Sequence, residues 1–188
     1  MNDDARTRLR LDYDRHAGRS IALPIAGAIV WTAAGIAGLL LDPRTALLAL
    51  LFATGLAFPL ALAIARPLGE RLLDNPSPLA GLMGRSVLMV NLLWAVHLSL
   101  IPTAPALLPL SLGVALGLHW VVFGWVTGHW VGLAHAVART ALVTAAWWAL
   151  PDAPVTAVAG AVVLVYAASI AVLARRELDT RPSPVVVA

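Results

Sequence analysis

The chain has 188 residues, 60% of them apolar and only 12% charged, with a formal net charge of +3. An ordinary soluble domain carries roughly 25% charged residues, so this composition points away from a solvated domain and toward a single membrane-embedded unit. Cysteine is absent, which removes disulfides, iron–sulfur clusters and thiol catalysis, and the thirteen basic residues are all arginines that flank apolar runs instead of forming one basic face, so no nucleic-acid partner is expected.

Residues 1–20 form a charged arm with Arg6, Arg8, Arg10, Arg15 and Arg19. The first apolar run, 21–41, is longer than the roughly 7–15 residues of a signal-peptide core, so it is read as a retained helix. Asp42-Pro43 then offers an N-cap followed by proline at the first helical position, starting a second run over 44–65. The one roomy connection, "RPLGERLLDNPSPLAG" from Arg66 to Gly81, contains Asn75-Pro76-Ser77-Pro78 as a helix stop. A third run spans 82–101, and Pro102 and Pro105 bracket its short joint to the fourth, 106–125. The fifth covers 130–150, and Pro151-Asp152-Ala153-Pro154 leads to the sixth, 154–174, with a frayed tail at 175–188.

Each run approaches the ~20 residues that cross a hydrocarbon core, where the backbone must satisfy itself as helix. The fold class expected is therefore all-α: a polytopic integral membrane protein of six transmembrane helices in one bundle. Arginine sets the orientation. The arm, the 66–81 connection with Arg66, Arg71 and the nearby Arg85, and the tail with Arg175, Arg176 and Arg181 share one side, against Arg44 on the other. Both termini are thus expected in the cytoplasm of a plasma membrane.

Against this apolar background, "GLHWVVFGWVTGHWVGLAHAVAR" gathers three histidines, three tryptophans and an arginine. A rise of ~1.5 Å per residue puts Pro59, Asn91, His119, His135, Arg139 and Tyr166 about 8–13 Å from the cytoplasmic ends of five runs. His97 falls in the outer third. Pro59 removes a backbone bond and frees the carbonyl of Gly55. A charge at such depth costs roughly 2.5–3.5 kcal/mol, and no carboxylate lies within a run to offset Arg139. His135 precedes Arg139 by four residues, so both share a helix face. Gly113-xxx-Gly117 and Gly124-xxx-Gly128-xxx-Gly132 serve close packing and the turn between the fourth and fifth helices. Trp125 and Trp130 mark the inner interface and Trp147-Trp148 the outer.

No metal set is expected, because His119, His129 and His135 lack an HExxH pattern and a carboxylate companion. No cofactor motif is present either. The six-residue layer suits a small polar or anionic ligand held around Arg139. Two alternatives stay open: a histidine-based membrane enzyme, with or without metal, and a structural or accessory subunit. Six spans are few for a transporter, so the glycine faces are also candidates for a homodimer.

The stretches "LFATGLAFPLALAIARPL", "NPSPLAGL" and "GLHWVVFGWVTGHW" resemble an uncharacterised family of small bacterial multi-pass membrane proteins. The matching residues are Thr54, Gly55, Phe58 and Pro59, then Asn75 to Leu79, then Gly117, His119, Gly124 and Trp125, with Pro76-Ser77-Pro78 departing from the simpler Asn-Pro-Leu of that family. The resemblance implies a bacterial integral membrane protein and no particular activity.

Overall fold

A computed structural model describes residues 3–178; Arg181 and the other residues of the expected tail beyond 178 lie outside that range. Among the described residues there are ten α-helices and one 3-10 turn, with no strand.

The arm is a helix, α1 (Asp3–Ala17), docked on the bundle. Asp3 and Asp4 open it and Arg15 and His16 close it, which suits the helix dipole. Tyr13 and Ala17 are buried where α1 meets α5 (Pro78–Leu92) and α8 (His119–Thr127). Gly18, at φ +59°, then turns the chain.

The apolar runs become helices close to their expected ends. They are α2 (Ala22–Leu40), α3 with α4 (Pro43–Gly55, Ala57–Leu68), α5 with α6 (Trp94–Thr103), α7 (Leu108–Ala115) with α8, α9 (Val131–Ala149) and α10 (Pro154–Ala174). Asp42 caps α3, its carboxylate accepting from the N–H groups of Arg44 and Thr45 at 3.1 Å, with Pro43 at the first position. Asn75 to Pro78 begin a helix instead of stopping one. Asn75 Oδ1 accepts from Ser77 N at 3.0 Å and Pro78 opens α5, while α4 has already ended at Gly69 with φ +69°.

Four helical stretches are long and apolar enough to cross a membrane: 22–40, 78–103, 105–127 and 154–174. The α3–α4 pair, bent by 43°, makes a fifth if counted as one span. The nineteen-residue α9 is not among them. Its length suffices, but His135 and Arg139 lower its hydropathy.

Helix α10 lies between α2 and α9, and α2 also packs on α3 and α4. Small residues set the α2–α10 distance: a Cβ on Gly27 would lie 2.7 Å from the Tyr166 hydroxyl, and one on Gly35 3.1 Å from Ala159. The α8–α9 contact is backbone on backbone, with Gly124 against Gly132. Gly128 makes the turn between α8 and α9: at φ +67° it terminates α8 in the left-handed conformation.

Candidate functional site

Three of the membrane-length stretches are interrupted near their middles. Between α3 and α4 the break is at Leu56, where Leu56 N bonds Ala53 O at 2.9 Å, and Pro59 has no N–H to offer the Gly55 carbonyl. Between α5 and α6 it is at Leu93, whose N–H reaches Val90 O at 3.3 Å. Between α7 and α8 residues 116–118 tighten into i→i−3 turns, Gly117 N to Val114 O at 2.9 Å and Leu118 N to Ala115 O at 3.1 Å.

These breaks converge. A cavity of about 100 Å³ is walled by Thr54, Gly55 and Ala57 from the first, Val90 and Asn91 beside the second, and Leu116 and His119 from the third, with Trp31 and Tyr166 completing it. A larger cavity, about 320 Å³, runs from α1 and the 69–77 loop down to His119, Trp120 and Phe123. Leu23, Phe58, Val87 and His119 belong to both walls, so His119 stands at the junction. It is 8% exposed, and its Nδ1 has no hydrogen-bond partner among the described residues.

Arg139 and His135 do not line either cavity; they stand behind the wall. Arg139 is fully buried, with its guanidinium carbon 5.4 Å from the Trp31 ring centre and 5.1 Å from that of Tyr166. Its Nε donates to Gly113 O at 2.6 Å, and neither Nη has an acceptor among the described residues. Gly117 makes room for this side chain, since a Cβ there would lie 2.7 Å from Arg139 Cδ. His135 stacks on Trp120 with ring centres 3.7 Å apart, and its Nδ1 is hydrogen-bonded to Ser169 Oγ at 2.8 Å. Tyr166 joins the two groups, 5.1 Å from the His135 ring and itself in the wall of the smaller cavity.

The expected layer is therefore brought together unevenly. His119, Asn91 and Tyr166 share a cavity wall, while Arg139 and His135 cluster on the far side of Tyr166. Asn91 is on the exposed side of α5 and spends its amide on its own helix, Nδ2 donating to Val87 O at 2.8 Å. Pro59 is exposed and contributes only through the break it causes. His97, set apart by depth, is hydrogen-bonded to Ser111 Oγ at 3.0 Å through Nδ1. Sequence reasoning missed Ser169 and the Gly113 carbonyl. Ser169 had a signal, three residues beyond Tyr166 and so on the same face of α10; a backbone carbonyl has none. Among the described residues no three metal-ligating side chains group together.

The α1 end is polar and tightly pinned. Both Glu70 oxygens accept backbone N–H groups at the start of α2, from Ile21 at 2.8 Å and Ala22 at 2.9 Å. Arg10 donates to the Trp125 carbonyl at the end of α8, Nη2 at 2.6 Å, and Arg176 pairs with Asp14. Asn75 Nδ2 donates to Tyr13 O at 3.1 Å, and Arg71 N to His16 O at 2.9 Å, which ties the loop to α1. Burial, with Asp14 adding to it, pushes the Tyr13 hydroxyl up to about 12, so it stays protonated over the cavity.

No curated protein and no solved structure matches the chain. A family description does, over all of the residues that build both cavities and the arginine cluster. Residues 7–176 match DUF7010, a family of unknown function, and the chain belongs to that family.

Proposed function

We propose that this is a bacterial inner-membrane protein of six spans, both termini cytoplasmic, that binds or moves a small polar or anionic molecule through its two joined cavities. The observation that carries this is the convergence of three mid-span helix breaks on one cavity wall. Irregular backbone at membrane depth is tolerated where it is buried or lines a cavity, and discontinuous helices around a central site are a transporter device. The larger cavity is of a size, about 320 Å³, that small molecules occupy. In this arrangement α9 is the fifth span, and Arg139 acts from behind, holding Tyr166 and Trp31 in the wall. A second reading of Arg139 alone rests on its bond to Gly113 O: a fastener between α7 and α9.

The chain has no cysteine, so single thiols can be placed without background. Gly84→Cys and His119→Cys, both in the larger cavity wall, are expected to react with a membrane-impermeant thiol reagent in inverted vesicles and not in right-side-out ones. Val143→Cys, fully buried, should react in neither. Failure of His119→Cys to react from either side would overturn the pocket. Reaction from the outside alone would reverse the topology.

A further inference from the structure

The wall of the larger cavity changes character along its length. Its mouth, between α1 and the loop, carries Tyr13, Ser20, Arg71 and Asn75. Arg71 is the charged side chain in this wall; it is exposed, and its guanidinium has no partner among the described residues. Two nearby groups are already spent: Glu70 on the α2 backbone, and Asn75 on Tyr13 O and Ser77 N. Beyond the mouth the wall is aliphatic and aromatic, with Leu23, Phe58, Met83, Val87 and Phe123 leading to His119. A fully hydrophilic solute would surrender its water to that surface without replacement hydrogen bonds, which disfavours its entry. A hydrocarbon chain would instead gain with every methylene it buries there.

We propose that the larger cavity takes a single-chain amphiphile with an anionic head, the head paired with Arg71 at the mouth and the tail lying along Phe58, Met83, Val87 and Phe123 toward His119. This rests on the pocket reading above and names its ligand class. Arg71 offers a planar fork of donors that matches a carboxylate or phosphate. The tail fills the apolar length that a small inorganic anion would leave bare.

The probe is dodecanoate, and the readout is the labelling rate of Gly84→Cys in inverted vesicles of zwitterionic lipid. Dodecanoate is expected to slow labelling about tenfold at concentrations where dodecanol and dodecyltrimethylammonium do not, the margin of one charge-assisted hydrogen-bonded pair. Arg71→Ala, at an exposed side chain, should remove that selectivity and Arg71→Lys restore part of it. Val143→Cys should stay unlabelled throughout, showing that fold and vesicle are intact. Equal protection by all three chain-bearing probes overturns the anionic head. Protection by inorganic phosphate alone overturns the tail. No protection by any probe, with Gly84→Cys still labelled from the cytoplasmic face, overturns the amphiphile and leaves the pocket standing. An unreactive Gly84→Cys overturns the proposal together with the cavity it depends on.

Discussion

Arg139 has five N–H donors, and among the described residues only the one on Nε meets an oxygen, that of Gly113. Two aromatic faces compensate part of its charge, each worth about 2 kcal/mol when desolvated. A buried charge with unmatched donors is often worse for stability than an apolar side chain of the same shape. Arg139→Met, which keeps the volume, is therefore expected to melt at or above the parent temperature in detergent, whereas Arg139→Ala should lose about 3 kcal/mol to the space it opens. A collapse of Arg139→Met would make the guanidinium a fastener and nothing more. The shared face of His135 and Arg139 was legible from their spacing of four. What could not be read was how the Arg139 guanidinium is answered: by a main-chain carbonyl, which leaves no mark in a sequence, and by the face of Trp31, far away in the chain. Tyr166 and His119 meet in one cavity wall, and depth counting could not tell which way around its helix Asn91 faces.

The helices show where small residues are required. Gly27→Ala would bring a methyl carbon 2.7 Å from the Tyr166 hydroxyl, so a loss of about 1–3 kcal/mol is expected, with altered thiol access at His119→Cys as the second readout. Gly160→Ala on α10 meets nothing within 4 Å and should gain about 0.5–1 kcal/mol from helix propensity. Equal effects in thermal melts would refute the packing account. Helix starts were readable where proline opens them, with a capping carboxylate at Asp42-Pro43 and with no side-chain cap at Pro154. The break at Leu56 had its herald in Pro59. That at Leu93 had none, since no proline or glycine lies near it, and the sequence alone gave a continuous span. The α1 helix was hidden for another reason: its polar composition reads as a solvated arm until Tyr13 and Ala17 find α5 and α8.

Across the whole molecule, α1, the 69–77 loop and the end of α10 form one polar plate. Burial holds the carboxyls of Asp14 and Glu70 above their ordinary values, outweighing the Arg176 pair at the first and the two backbone donors at the second. Each therefore binds its proton more readily in the fold than in the unfolded chain. Their contribution to stability is full below the ordinary carboxylate value and is lost as pH rises through the raised one, so melting temperature should climb as pH falls from neutral toward the ordinary carboxylate range. Glu70→Ala should flatten that climb and lower stability at neutral pH by about 1–2 kcal/mol, because two N–H groups of α2 lose their acceptors. The bond from Arg139 to Gly113 also has a consequence for how the chain is made. In the proposed topology α9 leaves the ribosome after α7, so the carbonyl that its arginine needs is already waiting at the membrane. As an isolated test segment α9 should partition poorly from the translocon, and it should enter efficiently when α7 and α8 precede it. Order of synthesis then substitutes for the hydropathy that this one helix lacks.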